Sequence, residues 1–452
     1  MKIAILHTND MHGELENFSR LAYLKDSLAA CYDTVILVSA GDMFSGNPYV
    51  DYHSAKGYPI VDLMNKTGYA LATLGNHEFD YGQQILAQRI MQAEFPILAA
   101  NIIDSSQIFQ SFPASCTLSF KGIPLVFAGL IETGNQGKPS THPDRVKGLE
   151  FVDPFEAAPS LYSKKVENGA LIALTHLGYE TDSMIAMQHP SIDVLIGGHS
   201  HTLIDSLRLI NQVLIAQAGH DLHYAGLVEL SFSKNRLVNK NYKIIALAKI
   251  KGQDPEIELE IENYRHNIYL DEVLATNLQP IRNRFEMGCL FTDAQRHIHQ
   301  LDFAFQNYWG LRINSLPTGN ITRKNILEMD PFGNELIVLK MTSDEIEDLI
   351  RYSYSFMKQI DLFISGGSYR VLVNRDNSVS KVEVFDLNNQ PVKGKKYRVG
   401  INSYILSSYV FEHADTGTST RTTTAENLMN YLLKTGKVDY TGCNRTSTLP
   451  LQ

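Results

Sequence analysis

The sequence predicts an α/β fold for the first half of the chain, followed by a smaller α+β unit. Short apolar runs alternate with amphipathic segments up to about residue 250, a pattern typical of layered sheets covered by helices. A polar, turn-rich stretch then begins at residue 251, which indicates a boundary between domains. At 452 residues, the chain is also longer than the roughly 100–200 residues of one domain.

Apolar runs of strand length are expected to form the sheets of the first half. These runs cover residues 2–7, 34–39, 70–74, 123–130, 170–175, 193–196, 213–216 and 227–232. A helix is predicted after the first strand from a stripe of apolar side chains on one helical face, Phe18, Leu21, Leu24 and Leu28. Another helix is predicted to begin after Asp153, because aspartate is a favoured N-cap and a proline follows it.

The chain is predicted to divide into a first domain at residues 1–250, a polar linker helix or hinge at 251–272, and a second domain at 273–452. The net charge of −9 argues against a basic surface that binds a nucleic-acid polymer. The longest apolar stretch, residues 123–131, is much shorter than the roughly 18 residues that span a bilayer. We therefore expect no membrane span.

The start of the chain lacks the apolar core and small-residue cleavage site of a signal peptide, because polar residues begin at His7. The four cysteines lie far apart and form no CxxC pair, so we expect free thiols. A cytoplasmic location is predicted from these two observations. The alternative is an exported protein whose leader has been removed.

Residues with metal-ligand chemistry follow five of the predicted strands. They are Asp10 and His12 after the first strand, Asp42 after the second, Asn76, His77 and Asp80 after the third, His176 at the end of the fifth, and His199 and His201 after the sixth. Each DxH or HxH pair alone is a weak signal. Open α/β sheets, however, bind ligands at the carboxyl ends of their strands, where these segments can converge. The joint pattern predicts a metal site.

These segments resemble the calcineurin-like metallophosphoesterases, and specifically the 5′-nucleotidase family, which includes UDP-sugar hydrolases and cyclic-nucleotide phosphodiesterases. The matching motifs are LHTNDMHG at residues 6–13, GNHEFDYG at 75–82 and GGHSHT at 197–202. TGNIT at 318–322 and DPFGN at 330–334 resemble the C-terminal domain of that family. The resemblance implies a four-layered α/β/β/α metallophosphoesterase domain followed by a smaller α+β substrate-binding domain.

The resemblance also implies roles for the residues at the strand ends. Two divalent metal ions are expected, and zinc, manganese, iron and cobalt all suit mixed nitrogen and oxygen ligands. Asp42 is expected to bridge the ions, with Asp10, His12 and His201 completing one site and Asn76, His176 and His199 the other. His77, oriented by Asp80, is expected to bind no metal and to stabilise the transition state or protonate the leaving oxygen.

On the substrate side, the resemblance implies that the second domain stacks a base between two aromatic rings and holds phosphate with arginine. Arg312 matches the expected arginine, Phe363 is the expected first aromatic, with Leu362 as an alternative alignment, and Tyr404 is the second. Residues 407–410 read SSYV, where the family has Gly-Gly-Asp-Gly. Binding is expected to need the two domains to meet, with the polar helix near residues 256–271 as the hinge.

The function implied is a dimetal 5′-nucleotidase, whose substrate is a small phosphorylated, nucleotide-like molecule. The reaction is in-line attack on phosphorus by a water that the metals activate. A UDP-sugar pyrophosphatase or 2′,3′-cyclic-nucleotide phosphodiesterase is the alternative within the same chemistry. A thiosulfohydrolase, which shares the dimetal domain, and a binding protein without turnover are further alternatives.

Overall fold

The computed structural model describes residues 1–105, 107–109, 112–134, 137–163, 165–266 and 270–450. The chain divides into two compact units, Met1–Ile268 and Tyr269–Gln452. Residues 267–269 of the predicted linker lie outside the described residues.

The eight predicted strands and both predicted helices of the first unit are confirmed. In chain order, the described strands are β1 (Lys2–Thr8), β2 (Thr34–Ser39), β3 (Leu71–Thr73), β4 (Ile97–Leu98), β5 (Ile102–Asp104), β6 (Ser115–Phe120), β7 (Ile123–Ile131), β8 (Leu149–Phe151), β9 (Ala170–His176), β10 (Val194–Ile196), β11 (Arg208–Ile210), β12 (Val213–Ala216), β13 (Tyr224–Ser233) and β14 (Arg236–Ala246). The helices are α1 (Phe18–Ala29), α2 (Pro48–Asp51), α3 (Tyr58–Thr67), α4 (Gln83–Gln92), α5 (Pro154–Tyr162), α6 (Tyr179–Gln188) and α7 (Pro255–Arg265).

Most of these strands form two six-stranded sheets within the described residues. Their strand orders are β14-β13-β1-β2-β3-β4 and β11-β12-β10-β9-β7-β6. β1 to β4 run parallel in the first sheet, and β7, β9, β10 and β12 run parallel in the second. The parallel strands of each sheet therefore present their carboxyl ends at one edge.

The two sheets pack face to face, with helices on their outer sides. Successive side chains of β1 point to opposite faces, so Ile5 joins one core cluster with Phe127 of the second sheet. Leu6 joins another cluster with Phe18 of α1. α5 and α6 cover the second sheet, and Tyr162 and Ile185 enter the same cluster as Phe127. The predicted α/β/β/α layering is confirmed.

The helix α7, within the predicted linker, packs on the first unit. Asp254 caps its first turn by accepting the backbone N–H groups of Glu256 and Ile257. Ile257 is buried in the cluster that contains α1, and the Tyr264 hydroxyl donates to Asp62 on α3 at 2.6 Å. A hinge at 251–272 remains a prediction, and the helix itself is part of the first unit.

Within the described residues, the second unit mixes helices with three sheets. Its described strands are β15 (Val273–Asn277), β16 (Phe303–Asn307), β17 (Gly319–Thr322), β18 (Glu335–Met341), β19 (Leu362–Ser365), β20 (Gly367–Val373), β21 (Val379–Asp386), β22 (Tyr397–Asn402), β23 (Thr418–Thr423), β24 (Lys437–Val438) and β25 (Thr446–Pro450). Its helices are α8 (Arg284–His299), α9 (Arg323–Met329), α10 (Ser343–Met357), α11 (Ser403–Ser408) and α12 (Thr424–Thr435). The strand orders are β17-β15-β24, β19-β16-β22-β18-β23 and β21-β20-β25.

The core of the second unit lies between its sheets and α10. Ile346 and Ile350 of α10 are buried with Val371 of β20 and Leu339 of β18. The start of α10 is fixed by a reciprocal capping box between Thr342 and its third helical residue. The expected α+β second domain is confirmed.

No helix among the described residues is long and apolar enough to cross a membrane. The cysteines Cys31, Cys116, Cys289 and Cys443 all carry free thiols in the structure, as predicted.

Candidate metal centre

The predicted ligand residues lie together at the carboxyl ends of strands from both sheets of the first unit. They are Asp10 and His12 after β1, Asp42 after β2, Asn76 after β3, His176 at the end of β9, and His199 and His201 after β10. Their histidine and carboxylate donor atoms form overlapping groups, each within 4.8 Å. The parallel strands thus carry chemically suitable side chains from distant parts of the chain to one place.

Five of these residues adopt left-handed backbone conformations that residues other than glycine rarely adopt. The φ angles are +49° for Asp10 and for His12, +53° for Asp42, +78° for His199 and +55° for His201. Hydrogen bonds between the loops hold these conformations, for example from the His12 N–H to the Asp42 carbonyl at 3.0 Å. Strained residues of this kind cluster at functional sites.

Asp10, His12 and His201 form the first donor set. His12 Nε2 and His201 Nε2 lie 3.1 Å apart, and Asp10 Oδ1 lies 3.6 Å from His201 Nε2. The Asn9 amide donates to Asp10 at 2.6 Å, and the His199 N–H donates to it at 2.9 Å. The carboxylate is therefore fixed beside two imidazole nitrogens.

Asp42, His176 and His199 form the second donor set, with Asn76 beside it. His176 Nε2 lies 3.1 Å from Asp42 Oδ2, and His199 Nδ1 lies 3.0 Å from the Asn76 side-chain oxygen. His176 Nδ1 donates to the Ala40 carbonyl at 2.7 Å. This backbone contact orients the ring so that Nε2 faces the site, as is usual for a metal-binding histidine.

Asp42 also lies beside the first donor set. Its Oδ1 accepts the backbone N–H of His77 at 2.9 Å. A carboxylate oxygen of Asp42 is also within 4.8 Å of donor atoms of His12 and His77. Because its two oxygens have different neighbours, Asp42 is the side chain best placed to serve both sets.

The electrostatics of this cluster fit divalent cations. Asp10 and Asp42 are both buried, and burial raises the pKa of Asp10 to about 6 against the opposing charge of His176. Burial disfavours a charge on His176, yet the carboxylates of Asp42 and Asp10 outweigh it and raise its pKa to about 10. Burial, and then His176, lower the pKa of His199 to about 4, so this ring keeps a lone pair for a ligand. The site thus combines a neutral imidazole donor, His199, with buried carboxylates that attract positive charge.

His77 and Asp80 form a separate pair at the edge of the cluster. His77 Nδ1 lies 2.7 Å from Asp80 Oδ2, and the Thr141 hydroxyl donates to the other Asp80 oxygen at 3.0 Å. The rings of His77 and His12 meet edge to face, with centroids 5.1 Å apart. The carboxylate therefore fixes the ring orientation and turns Nε2 away from Asp80.

Two glycines make this close approach of loops possible. A Cβ at Gly41 would lie 2.7 Å from His176 Nδ1 and 2.8 Å from the Gly75 backbone nitrogen. A Cβ at Gly198 would lie 2.7 Å from the Ala40 carbonyl oxygen and 2.8 Å from His176 Nδ1. Since real Cβ atoms essentially never approach backbone that closely, any side chain there would push the ligand loops apart.

Glu78 supports the Asp42 loop, a role that sequence reasoning missed. Its buried carboxylate accepts backbone N–H groups from Asp42 at 2.9 Å, from Met43 at 2.7 Å and from Gly75 at 2.6 Å. It therefore ties the loop after β2 to the loop after β3. The position of Glu78 inside the motif at 75–82 was the available signal, although its partners are distant in sequence.

The predicted substrate residues of the second unit have different environments. Phe363 is only 2% exposed, and its ring packs against Phe285 and Tyr308 at centroid distances of 5.8 and 5.7 Å. A Cβ at Gly288 would collide with the same ring. Phe363 thus has the surroundings of a core residue. Tyr404, by contrast, is half-buried.

The second predicted aromatic position is tied to the SSYV segment. Tyr404 meets Tyr409 edge to face at 6.4 Å, and the Tyr409 hydroxyl hydrogen-bonds to Asp361. Ser407 and Ser408 end the helix α11. Of the residues that stand in place of Gly-Gly-Asp-Gly, the two serines therefore belong to a helix and Tyr409 makes a half-buried tyrosine contact.

Arginines and aromatic rings lie together near the start of α8 and the end of β16. The Arg284 guanidinium is 4.6 Å from the Trp309 ring centroid and 4.7 Å from that of Tyr308. Trp309 is 53% exposed. The Arg312 guanidinium lies 5.9 Å from the Phe332 ring centroid. Sequence reasoning missed Phe332, although it stands in the DPFGN motif.

Comparison with known proteins gives a match in each unit. Residues 3–203 match the family model of calcineurin-like phosphoesterases. Residues 275–410 match the model of the 5′-nucleotidase C-terminal domain. The two models therefore follow one another along the chain in the order that the motifs indicated.

Individual relatives match most of the chain. It is 26% identical over 448 residues to the trifunctional nucleotide phosphoesterase protein YfkN of Bacillus subtilis, a match that covers 86% of this chain but 29% of that protein. It is 27% identical over 481 residues to a 5′-nucleotidase of Vibrio parahaemolyticus, with 90% and 84% covered. The solved structure of a 5′-nucleotidase precursor from Thermus thermophilus matches with a TM-score of 0.85 and 25% identity, over 99% of both chains.

Proposed function

Because the chain belongs to the 5′-nucleotidase family of calcineurin-like metallophosphoesterases, we propose that it is a dimetal hydrolase that releases phosphate from nucleoside monophosphates or related nucleotides. The observation that carries this proposal is the pair of donor sets on either side of Asp42, with the His77–Asp80 pair beside them. Phosphate ester hydrolysis needs both positive charge near the phosphoryl oxygens and a proton donor for the leaving oxygen. The cluster contains residues suited to each task.

Two divalent ions would be held by the two donor sets, with Asp42 shared between them. When bound, such ions lower the pKa of water and neutralise charge on the phosphoryl group. Imidazole, amide and carboxylate donors together suit zinc, manganese, iron or cobalt. The left-handed ligand loops and Glu78 keep these donors in place before any ion arrives.

His77 is the residue that we assign to proton transfer. Its Nδ1 is engaged with Asp80 Oδ2, so Nε2 is the atom that can give a proton to the leaving-group oxygen. Asp80 stabilises the protonated ring and fixes its orientation, and Thr141 fixes Asp80. Asp80 is thus a positioning residue for His77.

In the second unit, we assign nucleotide binding to the cationic and aromatic side chains near α8 and β16. Stacking of bases on aromatic rings tolerates different bases, because every base has a π-face, and arginine is well suited to phosphate. Arg312, Phe332, Trp309 and Tyr404 have exposed or half-exposed side chains. Phe332 replaces Phe363 in this assignment, since the Phe363 ring is covered by its neighbours.

The test is release of inorganic phosphate from AMP by chain that has been stripped of metal with a chelator. We expect activity to return when Zn²⁺ or Mn²⁺ is added to the wild type, and not when it is added to Asp42→Asn. Asparagine preserves the shape of the side chain and tolerates a left-handed backbone, so this substitution removes the charge of Asp42 and changes little else. Equal activity of stripped and reloaded wild type, or full activity of Asp42→Asn, would contradict the proposal.

A broader nucleotide phosphoesterase is the second candidate. It is favoured by residues 407–410, which read SSYV and therefore lack the aspartate of the family's Gly-Gly-Asp-Gly segment, a contact that would help to select one nucleoside. The Bacillus subtilis relative is itself named a trifunctional nucleotide phosphoesterase. Comparing AMP with 2′,3′-cyclic AMP and UDP-glucose as substrates separates this candidate from a strict 5′-nucleotidase.

We also propose, from the sequence, that the protein works in the cytoplasm. The proposal rests on the four cysteines, which form no CxxC pair in the sequence. Fractionation of the source cells, with detection by antibody, tests this location. Recovery of the protein only outside the cytoplasmic fraction would contradict it.

A further inference from the structure

A loop beside the metal centre carries His220, Asp221 and His223, which the proposed hydrolysis does not use. One donor atom from each of these residues lies within 4.8 Å of the other two. His220 Nδ1 and Asp221 Oδ2 are 2.7 Å apart, and the rings of His220 and His223 have centroids 5.6 Å apart. Solvent reaches all three residues. The loop therefore offers a compact, accessible group of donors.

The backbone of this loop is held in an unusual conformation. Asp221 and Leu222 are consecutive left-handed residues, with φ of +51° and +50°. The Asp221 N–H donates to the Asp10 carbonyl at 2.7 Å, and the Asn17 amide donates to the Leu222 carbonyl at 3.1 Å. Leu222 is buried in the core. The donors are thus presented on a preorganised loop, which reduces the ordering that a ligand must impose.

We propose that His220, Asp221 and His223 bind a further divalent transition-metal ion, separate from the two ions of the dimetal centre. Two imidazoles and one carboxylate are the donor types of zinc and cobalt sites with an open position, whereas magnesium and calcium prefer oxygen ligands. Ligand bonds of about 2.0–2.1 Å place tetrahedral donors roughly 3.3 Å apart. The separations in the structure, from 2.7 Å between His220 Nδ1 and Asp221 Oδ2 to at most 4.8 Å within the set, lie on either side of that value.

The position of the loop gives this ion a role. The rings of His220 and His201 stack with centroids 4.9 Å apart and an interplanar angle of 29°. His201 belongs to the first donor set and is partly exposed. A cation held by His220 therefore adds positive charge at the accessible side of the centre, where an anionic phosphate ester would be attracted.

The first experiment counts bound zinc. Metal-free chain is dialysed to equilibrium against buffered Zn²⁺, and zinc per chain is measured by mass spectrometry. We expect the double variant His220→Gln, His223→Gln to bind one equivalent fewer than the wild type. His297→Gln, which removes an exposed histidine of α8 in the second unit, is the matched control and should bind as the wild type does.

The second experiment needs no variant and localises the ion. Diethyl pyrocarbonate modifies accessible imidazoles, and peptide mapping reports each histidine. We expect Zn²⁺ to protect His220 and His223 in the wild-type chain while His297 is modified equally with and without zinc. Equal zinc content in the wild type and the double variant, or unchanged modification of His220 and His223, would overturn the proposal.

Diethyl pyrocarbonate modification of the Asp42→Asn variant, with and without zinc, separates this inference from the proposed function. That substitution weakens the dimetal centre but leaves the His220 loop intact. Zinc protection of His220 and His223 in Asp42→Asn is therefore expected, whether or not the hydrolase assignment is correct. Loss of that protection would show that no separate site exists.

Discussion

Replacing His7 with leucine should flatten the pH dependence of the stability of the first unit. His7 lies in β1 and is fully buried. Neither of its ring nitrogens has a hydrogen-bond partner among the described residues. Burial lowers the pKa of His7 to about 3, so the folded chain keeps this ring neutral.

The magnitude follows from the difference in pKa between the folded and unfolded chains. An unfolded histidine titrates near 6.5, so below that pH the unfolded chain binds a proton that the folded chain refuses until about pH 3. The free energy of unfolding therefore falls as the pH drops from 6.5 toward 3. At pH 5, which is about 1.5 units below 6.5, the loss is about 2 kcal/mol at 1.36 kcal/mol per unit.

The assay is urea unfolding of chelator-treated chain at pH 7 and pH 5, followed by far-ultraviolet circular dichroism. We expect the loss of unfolding free energy between these pH values to be about 2 kcal/mol smaller in His7→Leu than in the wild type. Because the comparison is between pH values, a constant change in packing cancels. Fluorescence of Trp309, the single tryptophan, follows the second unit and should be unaffected. An equal loss in wild type and variant would refute the reasoning, and His297→Leu serves as an exposed control.

Asp42→Asn should reduce the metal content of both donor sets, because the shared carboxylate loses its charge, whereas His12→Ala should chiefly reduce that of one set. Metal per chain is measured by mass spectrometry. Two retained ions with full activity in Asp42→Asn would contradict the shared role. His77→Ala should leave metal content nearly unchanged and lower kcat for AMP by roughly 10²–10⁴, the usual range for a positioned acid. The loss should be smaller for p-nitrophenyl phosphate, whose leaving group needs less protonation, and metal loss in the variant would instead make His77 a ligand. Phe332→Ala should raise KM for AMP by about 5- to 150-fold, as expected for a stacking contact, with p-nitrophenyl phosphate hydrolysis nearly unchanged. Phe363→Ala should instead lower the free energy of unfolding of the second unit by about 3–5 kcal/mol, the usual range for a core phenylalanine. If Phe332→Ala impaired hydrolysis of both substrates equally, or if Phe363→Ala left the unfolding free energy unchanged, the assignment of Phe332 to stacking and Phe363 to the core would be wrong.

The strand ends of the first unit could be predicted because they combine two independent signals. The apolar run before Asp10, for example, is buried on both faces of the sheet. Strands buried in this way read as continuous apolar runs, which are recognisable in the sequence. The polar residue that follows then marks the sheet edge where ligands gather. The structure brings the predicted ligands together there for that reason, even though His176 and Asp42 are far apart in the chain.

Other features could not be predicted from the sequence, because they depend on contacts between residues that are distant along the chain. β14 is an edge strand whose polar side chains are mostly exposed or half-exposed, so it lacks the apolar run by which the eight predicted strands were recognised. Phe363 lies in an apolar run that fits either a core strand or a ligand-facing one. Its ring is covered by Gly288 and Phe285 of α8 and by Tyr308, all distant from it in sequence. Likewise, Glu78 binds backbone groups near Asp42 that sequence spacing does not reveal.

The left-handed ligand loops have a consequence for the lifetime of the protein. A non-glycine residue in that conformation costs up to about 1–2 kcal/mol, and aspartate and histidine adopt it more readily than most. Five of the proposed ligands share it, so the combined cost is a sizeable part of the roughly 5–15 kcal/mol by which a typical domain is stable. Bound ions would offset part of this cost, because a ligand that binds only the folded state stabilises that state. Metal supply would then affect the resistance of the chain to proteases as well as its chemistry, because metal-free chain would unfold more often.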